Sequence, residues 1–216
     1  RDVGTELVES GLAFNDPGDG WKPADQYLSG NVRKKLVAAR AAAAADPAFL
    51  PNVTALEKVQ PEDIYYADID VKMGAAWVPA SDMKEFAGSL LNIQPSQFEM
   101  AYVPATGEWV SGLTSSGKNA AATSPLLSQW TVYQGEGNER TRRVGFEALL
   151  DAALNGKPIT VRDPDPNDPD GKKMLVNREL TDDANAKVQD MRDKFRGWVW
   201  EDESRRDRLH RYYNDN

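Results

Sequence analysis

The residues Gly112-Leu113-Thr114-Ser115-Ser116-Gly117-Lys118-Asn119 reproduce the GxxxxGK core of a phosphate-binding loop, directly after an expected strand. That chemistry needs backbone N–H groups and a lysine around the phosphates, then a Ser or Thr hydroxyl on magnesium. Asn119 stands where the hydroxyl belongs, and Ala120 to Pro125 is too short and proline-terminated to supply the long helix that should face the phosphates. A flexible hairpin loop of Gly, Ser and Lys is the preferred reading here, with nucleotide binding the minor one. Asp163-Pro164-Asp165-Pro166-Asn167-Asp168-Pro169-Asp170-Gly171 has the oxygen density of a calcium loop. It lacks the glycine at the sixth position and the glutamate at the twelfth, where Met174 stands, so a solvated turn is preferred. His210 is the single histidine, and a triad or a two-histidine metal site would hang on one residue among Arg206, Arg208 and Arg211. Asp68 and Asp70 share one face of an expected strand and read as its polar side.

Three basic clusters carry more interest. Arg205, Arg206, Arg208 and Arg211 fall within ten residues that hold one aspartate, with Tyr212 and Tyr213 at the end and Trp198 and Trp200 just before. Arginine with aromatic residues is what phosphate neutralisation and base stacking require. Glu201-Asp202-Glu203 offsets that charge, so an interdomain packing helix with mixed ion pairs is the competing reading. Arg33, Lys34 and Lys35 form a smaller basic face on an early helix. Arg140, Arg142 and Arg143 sit at the expected start of another helix, where positive charge opposes the helix dipole and calls for a partner.

The elements that position these residues follow from pattern and punctuation. Asn31 caps a strong helix-forming run to Ala45, and Asn52 opens a shorter helix through Leu56 and Val59, the two forming a helical pair. A short helical pattern at Leu7 to Ala13 precedes the loop Asn15 to Gly20. Ile69, Val71 and Met73 alternate with Asp68, Asp70 and Lys72 as in a half-buried strand, resumed at Trp77-Val78-Pro79. Ser81 caps a helix whose Met83, Phe86, Ala87, Leu90 and Leu91 make one apolar stripe. Phe98 to Val103 and Glu108 to Val110 form a hairpin, and Gln129 to Tyr133 adds a strand. A helix from Thr141 to Leu154 closes at Asn155-Gly156, and Ile159 to Val161 with Met174 to Val176 make a second hairpin. Ala184, Val188, Met191, Phe195 and Trp198 give a helix from near Thr181 a heptad-like seam, and a last helix spans Ser204 to Tyr213.

These elements imply an α+β chain, antiparallel hairpins packed with several helices and ending in a helical connector. The expected organisation is an entry segment at 1–25, an α+β domain at 26–180 and a two-helix connector at 181–216. The chain has 216 residues, a net charge of −8, 40% hydrophobic and 28% charged residues. That composition is globular and excludes a free-standing basic nucleic-acid coat. With no cysteine, disulfides, thiolate metal sites and cysteine nucleophiles are excluded together. The lack of cysteine fits a reducing cytoplasm, no apolar run reaches membrane-spanning length, and no signal-peptide pattern opens at Arg1-Asp2-Val3-Gly4. The lack of an initiator Met suggests a fragment of something longer.

Tyr27-Leu28-Ser29-Gly30-Asn31-Val32-Arg33-x-Lys35-Leu36, Asn52-Val53-x-Ala55-Leu56-Glu57-x-Val59-Gln60-Pro61 and Gly74-Ala75-x-Trp77-Val78-Pro79 resemble a segment of very large phage and plasmid proteins. These are helicase–methyltransferase polypeptides, including the DarB-like antirestriction proteins. The resemblance continues through Thr181-x-x-Ala184-x-x-Lys187, Phe195-x-x-Trp198-x-Trp200 and Arg205-x-x-x-Leu209-x-x-Tyr212-Tyr213-Asn214, and covers nearly all the chain after residue 25. It implies a place between an adenine-specific DNA methyltransferase and a superfamily-two helicase. The parent would use ATP with magnesium and S-adenosylmethionine, while this fragment would hold no cofactor or metal and no catalytic residue. The expected role is a non-catalytic DNA-engaging or domain-coupling module whose partners are the flanking domains and DNA, and no membrane. A structural scaffold without DNA contact is the alternative, which the net charge favours.

Overall fold

A computed structural model describes residues 3–216 and shows an α+β fold. Arg1 and Asp2, at the head of the entry segment, lie outside the described residues. Among the described residues there are nine α-helices and four separate two-stranded antiparallel hairpins. No helix among them is long and apolar enough to cross a membrane. The chain divides into two compact units, residues 3–69 with 207–216, and residues 70–206. These cuts differ from the expected ones at 25 and 180. The entry hairpin contributes to the same core as the first helical pair, and the long late helix packs on the helix before it.

The first unit opens with α1 (Val3–Glu9), which ends sooner than the pattern at Leu7 to Ala13 predicts because Gly11 turns the chain at a positive φ. Ala13 then begins β1 (Ala13–Asp16), paired with β2 (Gly20–Pro23). The single turn α2 (Ala24–Tyr27) leads to α3 (Val32–Ala45), where Asn31 accepts from the backbone N–H of Lys34 as the expected N-cap. Helix α4 (Leu50–Glu57) starts before Asn52, so Asn52 is not its cap. It is buried instead, donating from Nδ2 to the Asn15 carbonyl (2.8 Å) and the Tyr27 hydroxyl (3.1 Å). Around that bond Phe14, Tyr27, Val32, Leu36, Ala39 and Leu56 form one apolar core, with the Phe14 and Tyr27 rings stacked at 5.3 Å.

The stretch from Ala67 to Met73 keeps the expected alternation, Ile69, Val71 and Met73 buried and Asp68, Asp70 and Lys72 exposed, yet it is not a strand. Residues Tyr66–Asp68 form a 3₁₀ turn and Trp77-Val78-Pro79 a turn as well. Period-two patterning reports one buried side; it does not by itself supply a second chain to pair with.

In the second unit α5 (Ala80–Leu91) buries its whole predicted stripe, but Pro79 rather than Ser81 precedes its first residue. Strands β3 (Phe98–Val103) and β4 (Glu108–Leu113) form the expected hairpin, in register from Phe98 opposite Leu113 to Val103 opposite Glu108. After α6 (Ser115–Thr123), β5 (Val132–Gln134) pairs with β6 (Thr141–Val144). The predicted helix from Thr141 therefore begins only at Phe146, as α7 (Phe146–Asn155), with Gly156 as its left-handed C-cap at φ 67°. The last hairpin is displaced, β7 (Arg162–Pro164) pairing with β8 (Met174–Val176). Ile159 and Val161 are held instead by α8 (Arg178–Glu201): Asn185 bonds both backbone groups of Ile159, and Thr181 Oγ1 accepts from Val161 N. Asn177 caps α8, so that helix starts ahead of Thr181. Its buried seam runs Ala184, Val188, Met191, Phe195 and Val199, with Trp198 half-buried beside it. The final helix α9 (Glu203–Asp215) places residues 203–206 in the second unit and the rest in the first.

The C-terminus of α7 organises the second unit. Asn155 accepts from Trp109 N (2.7 Å) and donates to Trp109 O (3.0 Å), bonding the β4 backbone as a neighbouring strand would. The Trp109 indole donates to Gly74 O at 2.8 Å. Gly74 itself sits at φ 82°, where a Cβ would lie 1.9 Å from the Leu154 carbonyl. Gly74→Ala is expected to lower unfolding free energy by about 2 kcal/mol or more, from the left-handed backbone and the clash together. Urea titration measures it, and an unchanged midpoint would show that this approach is not needed.

Candidate nucleic-acid interface

The predicted basic clusters meet different fates. Arg205, foremost in the C-terminal cluster, is buried, so it is not a surface contact for DNA. Its guanidinium lies 3.5 Å from the centre of the Trp198 ring and donates to the Trp198 carbonyl (2.7 Å) and the Val199 carbonyl (3.3 Å). Glu85 Oε1 stands 3.4 Å from its Nη1. Trp198 in turn packs on Phe86 (5.4 Å) and Phe195 (6.1 Å). The last carbonyls of α8 have no intrahelical partner, and the planar fork of an arginine over an indole meets them.

Arg211 and Arg33 converge on Asp63, at 3.0 and 2.7 Å, and Arg33 also donates to the Pro61 carbonyl. Arg211 further pairs with Asp215 at 3.2 Å. His210 has Nε2 2.8 Å from the Ile64 carbonyl, which can only accept, so this nitrogen carries the proton. Asn214 bonds both backbone groups of Ile64. Arg206 faces Glu203 at 3.9 Å; Arg208, Tyr213 and Trp200 also have partners within the protein, and Tyr212 is exposed.

On α3, Lys35 points its ammonium at the carbonyls of Gln26, Tyr27 and Ser29, closing the end of α2, whereas Lys34 is exposed. The third cluster lies at β6 and the turn before it rather than at a helix start, so the dipole argument does not apply to it. Arg140 stacks on the Tyr133 ring at 3.7 Å. Arg143 bonds Gln134, the Arg162 carbonyl and Asp163 Oδ1 (2.6 Å). Asn177 and then Arg143 hold the Asp163 carboxyl below the ordinary aspartate value of 3.8. Arg142 is exposed and has no carboxylate partner among the described residues.

The GxxxxGK stretch is neither a phosphate-binding loop nor a flexible hairpin loop. Gly112 and Leu113 end β4, Thr114 caps α6 by accepting from Gly117 N (3.0 Å), and Gly117 lies within the helix. A Cβ on Gly117 would fall 2.2 Å from the Gln97 carbonyl, so this glycine serves packing. Lys118, on the first turns of α6, lines a cleft of about 670 Å³ together with Arg142, Arg143, Phe146 and Glu147. Its pattern alone could not reveal this grouping, because α6 and β6 are far apart in sequence. In the calcium-like loop Asp165 accepts from Lys173 and Asn167, and Asp168 from the backbone of Lys172 and Lys173, while Asp170 is exposed. No group of three or more potential metal ligands occurs among the described residues.

The model of the family described as Domain of unknown function (DUF8437) matches residues 72–216, and the chain belongs to that family. No curated protein and no solved structure matches the chain.

Two outcomes are expected from the arginine contacts. Arg205→Ala should lower unfolding free energy by about 2 kcal/mol, and Arg205→Lys should fail to restore it, because an ammonium can neither stack nor fork across both carbonyls. Equal stability of the three proteins in urea would refute this. Arg211, then Arg33, depress the Asp63 pKa below 3.8, so the carboxylate contributes stability that is complete above about pH 5 and lost as pH falls through 3.8 and on through the lowered folded value. The stability gap between wild type and Asp63→Asn should therefore narrow over that acid range, as read from denaturation midpoints at stepped pH.

Proposed function

We propose that this member of the DUF8437 family is a non-catalytic, domain-coupling module of a larger DNA-processing polypeptide. The observation that carries the reading is the internal commitment of its most basic segment. Arg205 closes the end of α8, and Arg211 is paired with Asp63 and Asp215, so α9 is a structural closure. A net charge of −8 opposes unsteered attraction to nucleic acid. The resemblance of Tyr27 to Leu36, Asn52 to Pro61 and Phe195 to Trp200 to helicase–methyltransferase polypeptides supports the DNA-processing context. In such a parent, ATP with magnesium and S-adenosylmethionine would act in the flanking domains, and this chain would hold them in cytoplasmic assembly.

Co-elution in size-exclusion chromatography with separately produced methyltransferase and helicase domains of the same polypeptide is the expected outcome, without ATP hydrolysis or methyl transfer by this chain alone. Failure to associate with either domain would overturn the coupling role. Turnover abolished by Lys118→Ala would overturn the non-catalytic one.

A further inference from the structure

We propose that the cleft between α6 and β6 binds a phosphate oxyanion, through Lys118 and Arg142. Acidic residues outnumber basic ones 34 to 26 in this chain, so a concavity lined mainly by cations runs against its overall charge and focuses a positive field. Here two exposed cations, with no carboxylate partner among the described residues, line the same cleft of about 670 Å³. Arg143 adds a third positive charge at the wall, fixed by Asp163. The one carboxylate lining the cleft, Glu147, accepts from the backbone N–H of Leu113 at 2.9 Å. The side-chain charge there is thus three positive against one negative.

The lining also says which part of a ligand would be held. Phe146 is the aromatic residue there and is buried, so no ring is offered for a base to stack on. Arginine can grip a phosphate with two parallel N–H donors, and lysine adds a point charge. The ligand chemistry is therefore phosphate without base readout, delivered either by the backbone of a nucleic acid strand or by free phosphate. This site stands independently of the coupling role: a chain that associated with no flanking domain would still bind phosphate here.

The test uses the full chain, a labelled single-stranded oligonucleotide followed by fluorescence anisotropy, and inorganic phosphate followed by thermal shift. Two phosphate contacts on a single strand give a salt slope of about −1.4, or about a sevenfold loss of affinity between about 50 and 200 mM salt. Lys118→Gln with Arg142→Gln should weaken oligonucleotide binding at least about fivefold and flatten that slope, while Lys34→Gln, an exposed cation elsewhere, should change neither. Circular dichroism of the double variant should match wild type, since both side chains are exposed; the single Ala variants provide a second pair if it does not. Stabilisation by millimolar phosphate that the double variant loses, without oligonucleotide binding, would assign the cleft to free phosphate. No binding of either probe, or binding unchanged in the variants, would overturn the proposal.

Discussion

Every α-helix ends with carbonyls that no later turn can satisfy, and at three helix ends this chain meets that constraint with a cation from outside the helix. Lys35 reaches the end of α2, Arg205 the end of α8, and Arg192 donates to the Ala152 and Ala153 carbonyls in the last turn of α7. In each case a positive group sits where the helix dipole is negative, and the contact also fixes how the next segment leaves. The same side chains that look available for an external polyanion are thereby oriented inward.

The end of α7 shows how much can depend on one such terminus. Asn155 bonds the Trp109 backbone, Arg192 takes the carbonyls, Gly156 turns the chain, and Gly74 passes close enough that no side chain fits. A hairpin of two strands is marginal by itself, and β4 is secured because its backbone is bonded by a helix-end side chain and its Leu113 N–H by Glu147 at the other end of α7. The four hairpins never merge into a larger sheet; helices and side-chain bonds do the work that additional strands would do.

Local signals in the sequence were legible where the physics is local. The alanine-rich run after Asn31, the apolar stripe from Met83 to Leu91, the β3–β4 hairpin and the Asn155-Gly156 stop all depend on near neighbours, and each is present. Asn52 was unreadable because its partners, Asn15 and Tyr27, are remote. The start of α7 was misplaced because Thr141, Arg142 and Val144 pair across to β5, a contact invisible to helical periodicity. The same limit governs the candidate site. Cation clusters were visible by counting, but whether a cation faces a carbonyl, a ring or solvent is set by tertiary placement, which separates Arg205 from Arg142.

The first compact unit draws on both residues 3–69 and residues 207–216. Asp63 and Ile64 receive their partners His210, Arg211 and Asn214 from about 150 positions later in the chain. Loop closure over such a span is slow compared with contacts inside residues 70–206. On the ribosome, where a chain emerges from its amino end, residues 3–69 must wait for residues 207–216 to be synthesised. The order of completion thus inverts the order of synthesis, and the intervening unit can fold before the one that precedes it is finished.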